Sequence, residues 1–237
     1  MDRAAPALEL TRRLRGSAEF FKVGSQLFTA EGPRIIEQLA DLGPKLFLDL
    51  KFHDIPNTVA GAVRSAAALP NVALLTLHAS GGGPMMRAAR EAAARYASRP
   101  ALLGVTVLTS MDAPTMQSVG LSGAPAERAL ALALLAQESG LDGVVASTQE
   151  VAAIRKACGP EFLIVVPGVR PASSDVNDQS RVATPAEAIR AGANYLVVGR
   201  PITAAPDPQK AAADIAAEID ATQGGMGAAT AGAGKPL

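Results

Sequence analysis

The chain has 237 residues, of which 49% are hydrophobic, and its 22 Lys and Arg residues balance its 22 Asp and Glu residues. This length and apolar content suffice for one domain with a sizeable core. The balanced charge excludes a global field that would hold nucleic acid or an anionic membrane, so any anion site must be local. The single cysteine, Cys158, excludes an internal disulfide.

The N-terminal stretch, MDRAAPALELTRRLRG, carries charges where a signal peptide needs an unbroken apolar core. No apolar stretch of the sequence approaches the roughly 20 residues that span a bilayer. These features predict a cytoplasmic protein with no membrane partner. Ala7, Leu10 and Leu14 have helical spacing, so the chain is expected to open on a helix, with no strand before it.

Seven short, uninterrupted apolar runs indicate strands that are buried on both faces. They cover residues 20–23, 46–50, 72–77, 102–108, 143–146, 162–166 and 195–198. Segments of helical period lie between them. One such segment begins after Pro33 and ends before Gly43, and Thr184-Pro185-Ala186-Glu187 is typical of a capping box that begins a helix.

This alternation of strands and helices implies parallel strands joined by right-handed crossovers, in an open doubly wound sheet or a closed (β/α)8 barrel. The dinucleotide fingerprint G-x-G-x-x-G is absent after the early strands, which favours the barrel. A closed barrel needs eight strands. The predicted fold is therefore an α/β, (β/α)8 TIM barrel over residues 1–221 whose first strand is missing, followed by a disordered Gly/Ala-rich tail over residues 222–237.

Two opposite charges interrupt the second apolar run at its C-terminal end. Asp49 and Lys51 alternate with Leu48 and Leu50, so the two charged side chains are expected to point to the same side. Barrel enzymes carry their chemistry at this end of the strands. A structural ion pair is the alternative, but buried pairs are costly and not reliably stabilising, so the position favours a functional site.

The run over residues 47–58, FLDLKFHDIPNT, resembles the D-x-K-x-x-D-I-P-x-T signature of the orotidine 5'-monophosphate decarboxylase family and matches it without a departure. Six further similar segments are FFKVG, LHASGG, VTVLTS, PGVRP, NDQSRVATPAEA and VVGRPIT, and together they span nearly the whole chain. The resemblance implies a carbon–carbon lyase of de novo pyrimidine biosynthesis. Such an enzyme converts orotidine 5'-monophosphate (OMP) to uridine 5'-monophosphate (UMP) without cofactor or metal.

This reaction leaves an electron pair at C6 of the pyrimidine, where the ring cannot delocalise it and no cofactor accepts it. A fixed ammonium group beside C6 would stabilise the charge and then donate the missing proton. Lys51 is the predicted cation and acid, with Asp49 and Asp54 holding it in place. The resemblance adds Lys22, which completes an alternating Lys-Asp-Lys-Asp array, although a lone lysine at a strand end more often reaches solvent.

The resemblance also implies a homodimer with shared active sites, in which Asp54 and Thr58 reach into the partner's site. For Thr58, a polar residue at a helix N-terminus is the alternative. Gly199 and Arg200 follow the last strand, where barrels commonly bind phosphate, unless they are only a turn and a surface charge.

Three more substrate contacts are predicted on loops. The segment over residues 167–183 is long for a loop between a strand and a helix, and such loops are often lids. By resemblance, Gln179 on this loop contacts the phosphate and Arg170 helps to bind the nucleotide. Thr109, after the strand at 102–108, recognises the pyrimidine or its closing loop.

Two other functions compete with this one. The metal-dependent sugar-phosphate decarboxylases of the same superfamily share the D-x-K-x-x-D core, but they have an acidic metal ligand where this chain has Lys22, and a lysine would repel magnesium. A truncated barrel that only binds phosphate ligands is the second competitor. In the family, the first strand ends in an aspartate that holds the ribose, and Asp2 falls after that position. This pattern predicts an in-frame strand upstream of Met1 in the coding DNA.

Overall fold

The protein is described from a computed structural model, which covers residues 1–170 and 183–227. Its strands are β1 (Phe20–Gly24), β2 (Lys45–Phe52), β3 (Val72–His78), β4 (Ala101–Val105), β5 (Gly143–Val145), β6 (Leu163–Pro167) and β7 (Tyr195–Val197). Its helices are α1 (Ala4–Arg13), α2 (Ser25–Glu31), α3 (Arg34–Ala40), α4 (Pro56–Ala67), α5 (Gly82–Ala93), α6 (Ala113–Ser118), α7 (Pro125–Glu138), α8 (Thr148–Cys158), α9 (Pro185–Ala191), α10 (Arg200–Thr203) and α11 (Pro208–Gly227).

The seven strands form one sheet in the order β1 to β7, and every neighbouring pair is parallel. Each strand lies where an apolar run predicted it. The sheet curls into a nearly closed barrel, because aliphatic and aromatic side chains from alternate strand positions fill its interior, including Phe47, Leu74, Leu103 and Val165. The predicted (β/α)8 fold without its first strand is confirmed.

A gap separates the two edge strands, β1 and β7, which have no strand on their outer sides in the described parts of the chain. The rings of Phe20 and Tyr195 meet edge to face across it, with 5.2 Å between their centroids. Beside them lies a mainly apolar groove of about 270 Å³, whose wall includes Ala212 and Ile215 of α11. Helix α11 and this aromatic pair thus cover part of the open edge.

Two element ends differ from the predicted boundaries by more than two residues. Strand β4 ends at Val105 rather than 108. The backbone N–H and the hydroxyl of Thr106 both donate to the Val145 carbonyl, at 3.2 and 3.0 Å, and the chain leaves the sheet after this residue. Helix α11 continues to Gly227, past the domain boundary predicted at 221. Its alanine-rich sequence favours helix, and the Thr222 hydroxyl donates to the Glu218 carbonyl at 2.8 Å. Residues 228–237 lie outside the described residues, so a disordered tail there stays a prediction.

The predicted capping box begins α9. The Thr184 hydroxyl accepts from the Glu187 N–H at 3.2 Å, and the Glu187 carboxylate accepts from the Thr184 N–H at 2.8 Å. These two hydrogen bonds define the start of α9, the helix that precedes β7. In the described ranges, no helix combines the length and the apolar character that crossing a membrane would require.

Candidate active site

The C-terminal end of β2 departs from regular pairing with β3. Leu48 is opposite Leu75 and Phe52 is opposite Leu77, so three residues of β2 bulge out where β3 has only Thr76. Within the bulge, Lys51 has a φ of 53°, in the left-handed region that residues other than glycine rarely adopt. Bulges of this kind redirect side chains near active sites. Here the bulge turns Lys51 toward the mouth of the barrel, beside Asp49.

Three charged side chains meet at this bulge. The Lys51 Nζ lies 2.8 Å from both carboxylate oxygens of Asp49, and the Lys22 Nζ lies 3.1 Å from Asp49 Oδ2. The Thr76 hydroxyl donates to Asp49 Oδ1 at 2.9 Å. Asp49 is 8% exposed, whereas the side chains of Lys22 and Lys51 are 33% and 35% exposed. The carboxylate is thus clamped between two ammonium groups that also reach the cavity.

The pKa of Asp49 is below its usual range. Burial raises this pKa. The charge of Lys22, the hydrogen bond and charge of Lys51 and the hydrogen bond from the Thr76 hydroxyl all lower it, and together they outweigh the effect of burial. Asp49 is therefore an anion at neutral pH. Its charge keeps the neighbouring lysines positioned before any ligand arrives.

The lowered pKa of Asp49 predicts a loss of stability in acid. A carboxylate whose folded pKa is depressed stabilises the fold above its unfolded pKa, about 3.9, and this contribution is lost as the pH falls through the folded value. Urea unfolding of the wild type should therefore show a falling free energy below about pH 4. Asp49→Asn should lose less stability over the same range. Parallel curves for the two proteins would contradict the assignment.

Asp54 and Thr58 do not join this cluster within one chain. The Asp54 carboxylate is exposed and accepts from the Ile55 N–H at 2.6 Å, and no ion pair with Lys51 is present in the described residues. Thr58 is exposed in the first turn of α4, where Ile55 takes the N-cap position. The structure thus brings together Lys22, Asp49 and Lys51 of the predicted array and leaves Asp54 at the surface.

The charged cluster faces a cavity of about 140 Å³ at the C-terminal ends of the strands. Its lining comprises Lys22, Phe47, Asp49, Lys51, Val105, Val107, Leu108, Thr109, Val145, Ala146, Pro167 and Val197. One end of the cavity is therefore charged and most of its wall is apolar. Thr109 lies in this wall, and its predicted contact with the pyrimidine or its closing loop stays a prediction.

The predicted phosphate-binding residues lie on the same side of the barrel. Gly199 and Arg200 follow β7 after a single residue, Val198, and the Gly199 carbonyl accepts from two N–H groups of the short helix α10, each at 2.9 Å. Arg170 follows β6, is 7% exposed, and its N–H donates to the Ala183 carbonyl at 3.0 Å. Gln179 lies outside the described residues.

Sequence reasoning missed Thr76, whose side chain is fully buried. The available signal was a hydroxyl inside the otherwise apolar strand VALLTL, because a buried polar group needs a partner.

The two histidines lie close together beside this cluster, and the rings of His78 and His53 are 5.3 Å apart. Burial, together with the charges of His53 and Lys51, lowers the pKa of His78, so this imidazole is neutral at pH 7. No group of three or more His, Cys, Asp or Glu side chains suited to a metal occurs in residues 1–170 and 183–227.

Comparison with known proteins agrees with this geometry. The model of the Orotidine 5'-phosphate decarboxylase / HUMPS family matches residues 1–215. The chain belongs to this family. It is 55% identical over 213 residues to an orotidine 5'-phosphate decarboxylase of Nitrosococcus oceani, covering 90% of this chain and 91% of the relative. It is also 55% identical over 218 residues to one of Moorella thermoacetica, covering 90% and 86%.

A solved structure of this family has the same fold. The orotidine 5'-phosphate decarboxylase of Lactobacillus acidophilus superposes with a TM-score of 0.78 at 38% identity, over 90% of this chain and 93% of that chain. An uncharacterized conserved protein of Geobacillus kaustophilus gives 0.80 at 36% identity, over 92% and 96%. The family resemblance that rested on the β2 signature is therefore confirmed over most of the chain.

Proposed function

We propose that this protein is an orotidine 5'-phosphate decarboxylase that converts OMP to UMP in pyrimidine biosynthesis, with Lys51 as the cation and proton donor at C6. The observation that carries the proposal is the Lys22–Asp49–Lys51 cluster at one end of a largely apolar cavity, in a chain 55% identical to decarboxylases. The enzyme class, a carbon–carbon lyase, follows from the names of those relatives.

The chemistry uses the cluster as it stands. The C6–carboxylate bond breaks, CO2 leaves, and the bond's electron pair stays on C6. The Lys51 ammonium stabilises that charge and gives C6 a proton, which completes UMP. Asp49, held as an anion, fixes the position of the Lys51 ammonium, and the Lys22 ammonium also pairs with the Asp49 carboxylate. No cofactor takes part, because the protein supplies both the stabilising charge and the proton.

The substrate phosphate is proposed to bind at Gly199 and Arg200, with Gln179 as a further phosphate contact and Arg170 as a residue that helps to bind the nucleotide. The chain after β7 brings a glycine and an arginine to the same side of the barrel as Lys51. Backbone N–H groups can approach an anion closely at glycine, and the guanidinium fork suits phosphate oxygens. Thr109, in the cavity wall, is proposed to contact the pyrimidine or the loop that closes over it.

A cytoplasmic homodimer is part of the same proposal. The exposed positions of Asp54 and Thr58, at the start of α4 and away from Lys51 of their own chain, suit residues that complete a partner's site. The sugar-phosphate branch is not favoured, because the Lys22 Nζ sits 3.1 Å from Asp49, where it would oppose a magnesium ion. A phosphate-binding barrel without catalysis would have no use for this cluster.

The test is whether the purified 237-residue protein turns over OMP, measured as the loss of OMP absorbance. Full activity is expected in the presence of EDTA. Absence of turnover by the folded protein would favour the non-catalytic alternative. Magnesium-dependent decarboxylation of a sugar phosphate acid would favour the other branch.

A further inference from the structure

Thr76 closes a ring of hydrogen bonds through both ends of Lys51. The Lys51 backbone N–H donates to the Thr76 hydroxyl oxygen at 3.0 Å, and that hydroxyl donates to Asp49 Oδ1 at 2.9 Å. The Lys51 ammonium donates to the same oxygen at 2.8 Å. One hydroxyl thus fixes the backbone of Lys51 and the carboxylate that holds its side chain.

The β2 bulge makes this hydroxyl necessary. Three residues of β2 stand opposite Thr76 alone, so the regular ladder has too few carbonyls on β3 for the N–H groups of the bulge. Lys51 also has the unfavourable φ of 53°, and such a backbone persists only where its surroundings impose it. Thr76 is fully buried, so water does not replace its hydroxyl.

We infer that Thr76 is a positioning residue: its hydroxyl holds Lys51 in the left-handed bulge that aims the ammonium into the cavity. Without the hydroxyl, the Lys51 N–H loses its acceptor and the backbone relaxes toward negative φ, which carries the ammonium away from the reacting carbon. Misplacement by about 1 Å can cost a reaction about a hundredfold. The inference rests on the proposed function only for its kinetic consequence.

The decisive variant is Thr76→Val, which keeps the shape of the side chain and removes both hydrogen bonds. We expect kcat for OMP to fall about 10- to 100-fold. The KM should change less than about threefold, because Thr76 does not line the cavity. Thr76→Ser, which retains the hydroxyl, should restore kcat to within a few-fold of the wild type. If Thr76→Val does not fold, Thr76→Cys replaces it, because a thiol is only a weak donor and a weak acceptor.

Thr106→Val is the matched control. Thr106 is also buried at the end of a strand, and its hydroxyl donates to the Val145 carbonyl rather than to the charged cluster. The kcat of Thr106→Val should stay within about threefold of the wild type. Its melting temperature should fall, because a buried hydrogen bond is lost. Equal losses of kcat in Thr76→Val and Thr106→Val would overturn the inference, as would equal kcat values for Thr76→Val and Thr76→Ser.

A crystal structure of Thr76→Val separates this inference from the proposed function. A negative φ at Lys51 in the variant supports the inference even if the wild type does not turn over OMP, in which case only the proposed function fails. An unchanged positive φ, with Lys51 still bonded to Asp49, overturns it whatever the kinetics show.

Discussion

Lys51→Ala is expected to lower kcat for OMP by about 10⁴-fold or more, the largest effect of any substitution in this protein. A general acid contributes about 10²- to 10⁴-fold, and a fixed charge at the reacting atom about 10²- to 10³-fold. Lys51 supplies both contributions, and its Nζ lies beside the cavity, 2.8 Å from Asp49. Lys22 is not expected to replace it, because the Lys22 ammonium is itself held 3.1 Å from Asp49 Oδ2.

The measurement is steady-state decarboxylation together with the dissociation constant for UMP. The UMP affinity should change far less than kcat, since Arg200 and Gly199, the proposed phosphate site, are left in place. Lys45→Ala is the matched control, because Lys45 begins the same strand and its side chain is 49% exposed. Its ammonium pairs with Glu19 at 2.7 Å and lies 5.5 Å from the centre of the Phe20 ring, away from the cavity, so this variant should keep wild-type activity. Turnover by Lys51→Ala within tenfold of the wild type would refute the role of Lys51.

The strands and the charged strand end were predictable because both are local features. In a parallel sheet, an uninterrupted apolar run indicates a strand that is buried on both faces, and all seven runs are strands in the structure. The approach of Lys22 to Asp49 was expected only from the family resemblance, which placed both in one charged array. The 3.1 Å distance between them follows from the pairing of β1 with β2.

The bulge was not predictable, because it results from a register shift between two strands. Simple alternation places Asp49 and Lys51 on one side, whereas the structure reaches that outcome with Lys51 at a positive φ and Thr76 as its support. Nothing in the run FLDLKF signals a break in its pairing. Asp54, three residues further along the chain, lies exposed after the strand, and its predicted place in the partner's site stays a prediction.

The closeness of β5 and β6 is a second feature that depends on strand pairing. Gly143 lies between Leu103 of β4 and Leu163 of β6. A Cβ atom at Gly143 would stand 2.2 Å from the Leu163 carbonyl oxygen and 2.5 Å from its Cβ, distances that no real side chain tolerates. Because the obstacle is backbone in the middle of the sheet, neither strand can move aside without breaking hydrogen bonds to its neighbours.

Gly143→Ala is therefore expected to lower the free energy of unfolding by about 3 kcal/mol or more. For a domain of this size, that loss lowers the melting temperature by roughly 6–12 °C. Urea unfolding at pH 7 measures it. Gly224→Ala is the control, because a Cβ there meets no atom within 4 Å and alanine favours helix, so this variant should be unchanged or more stable by up to about 1 kcal/mol.

The same substitution also tests how the barrel shapes its cavity. Val145, two residues after Gly143 on β5, and Ala146, which follows the strand, line the same cavity as Lys51. If the added methyl group pushes β5 away from β6, this wall of the cavity moves. The folded fraction of the Gly143→Ala protein should therefore show a raised KM for OMP. If Gly143→Ala instead unfolds at the same urea concentration as the wild type, β5 and β6 are further apart than the pairing of Gly143 with Leu163 implies.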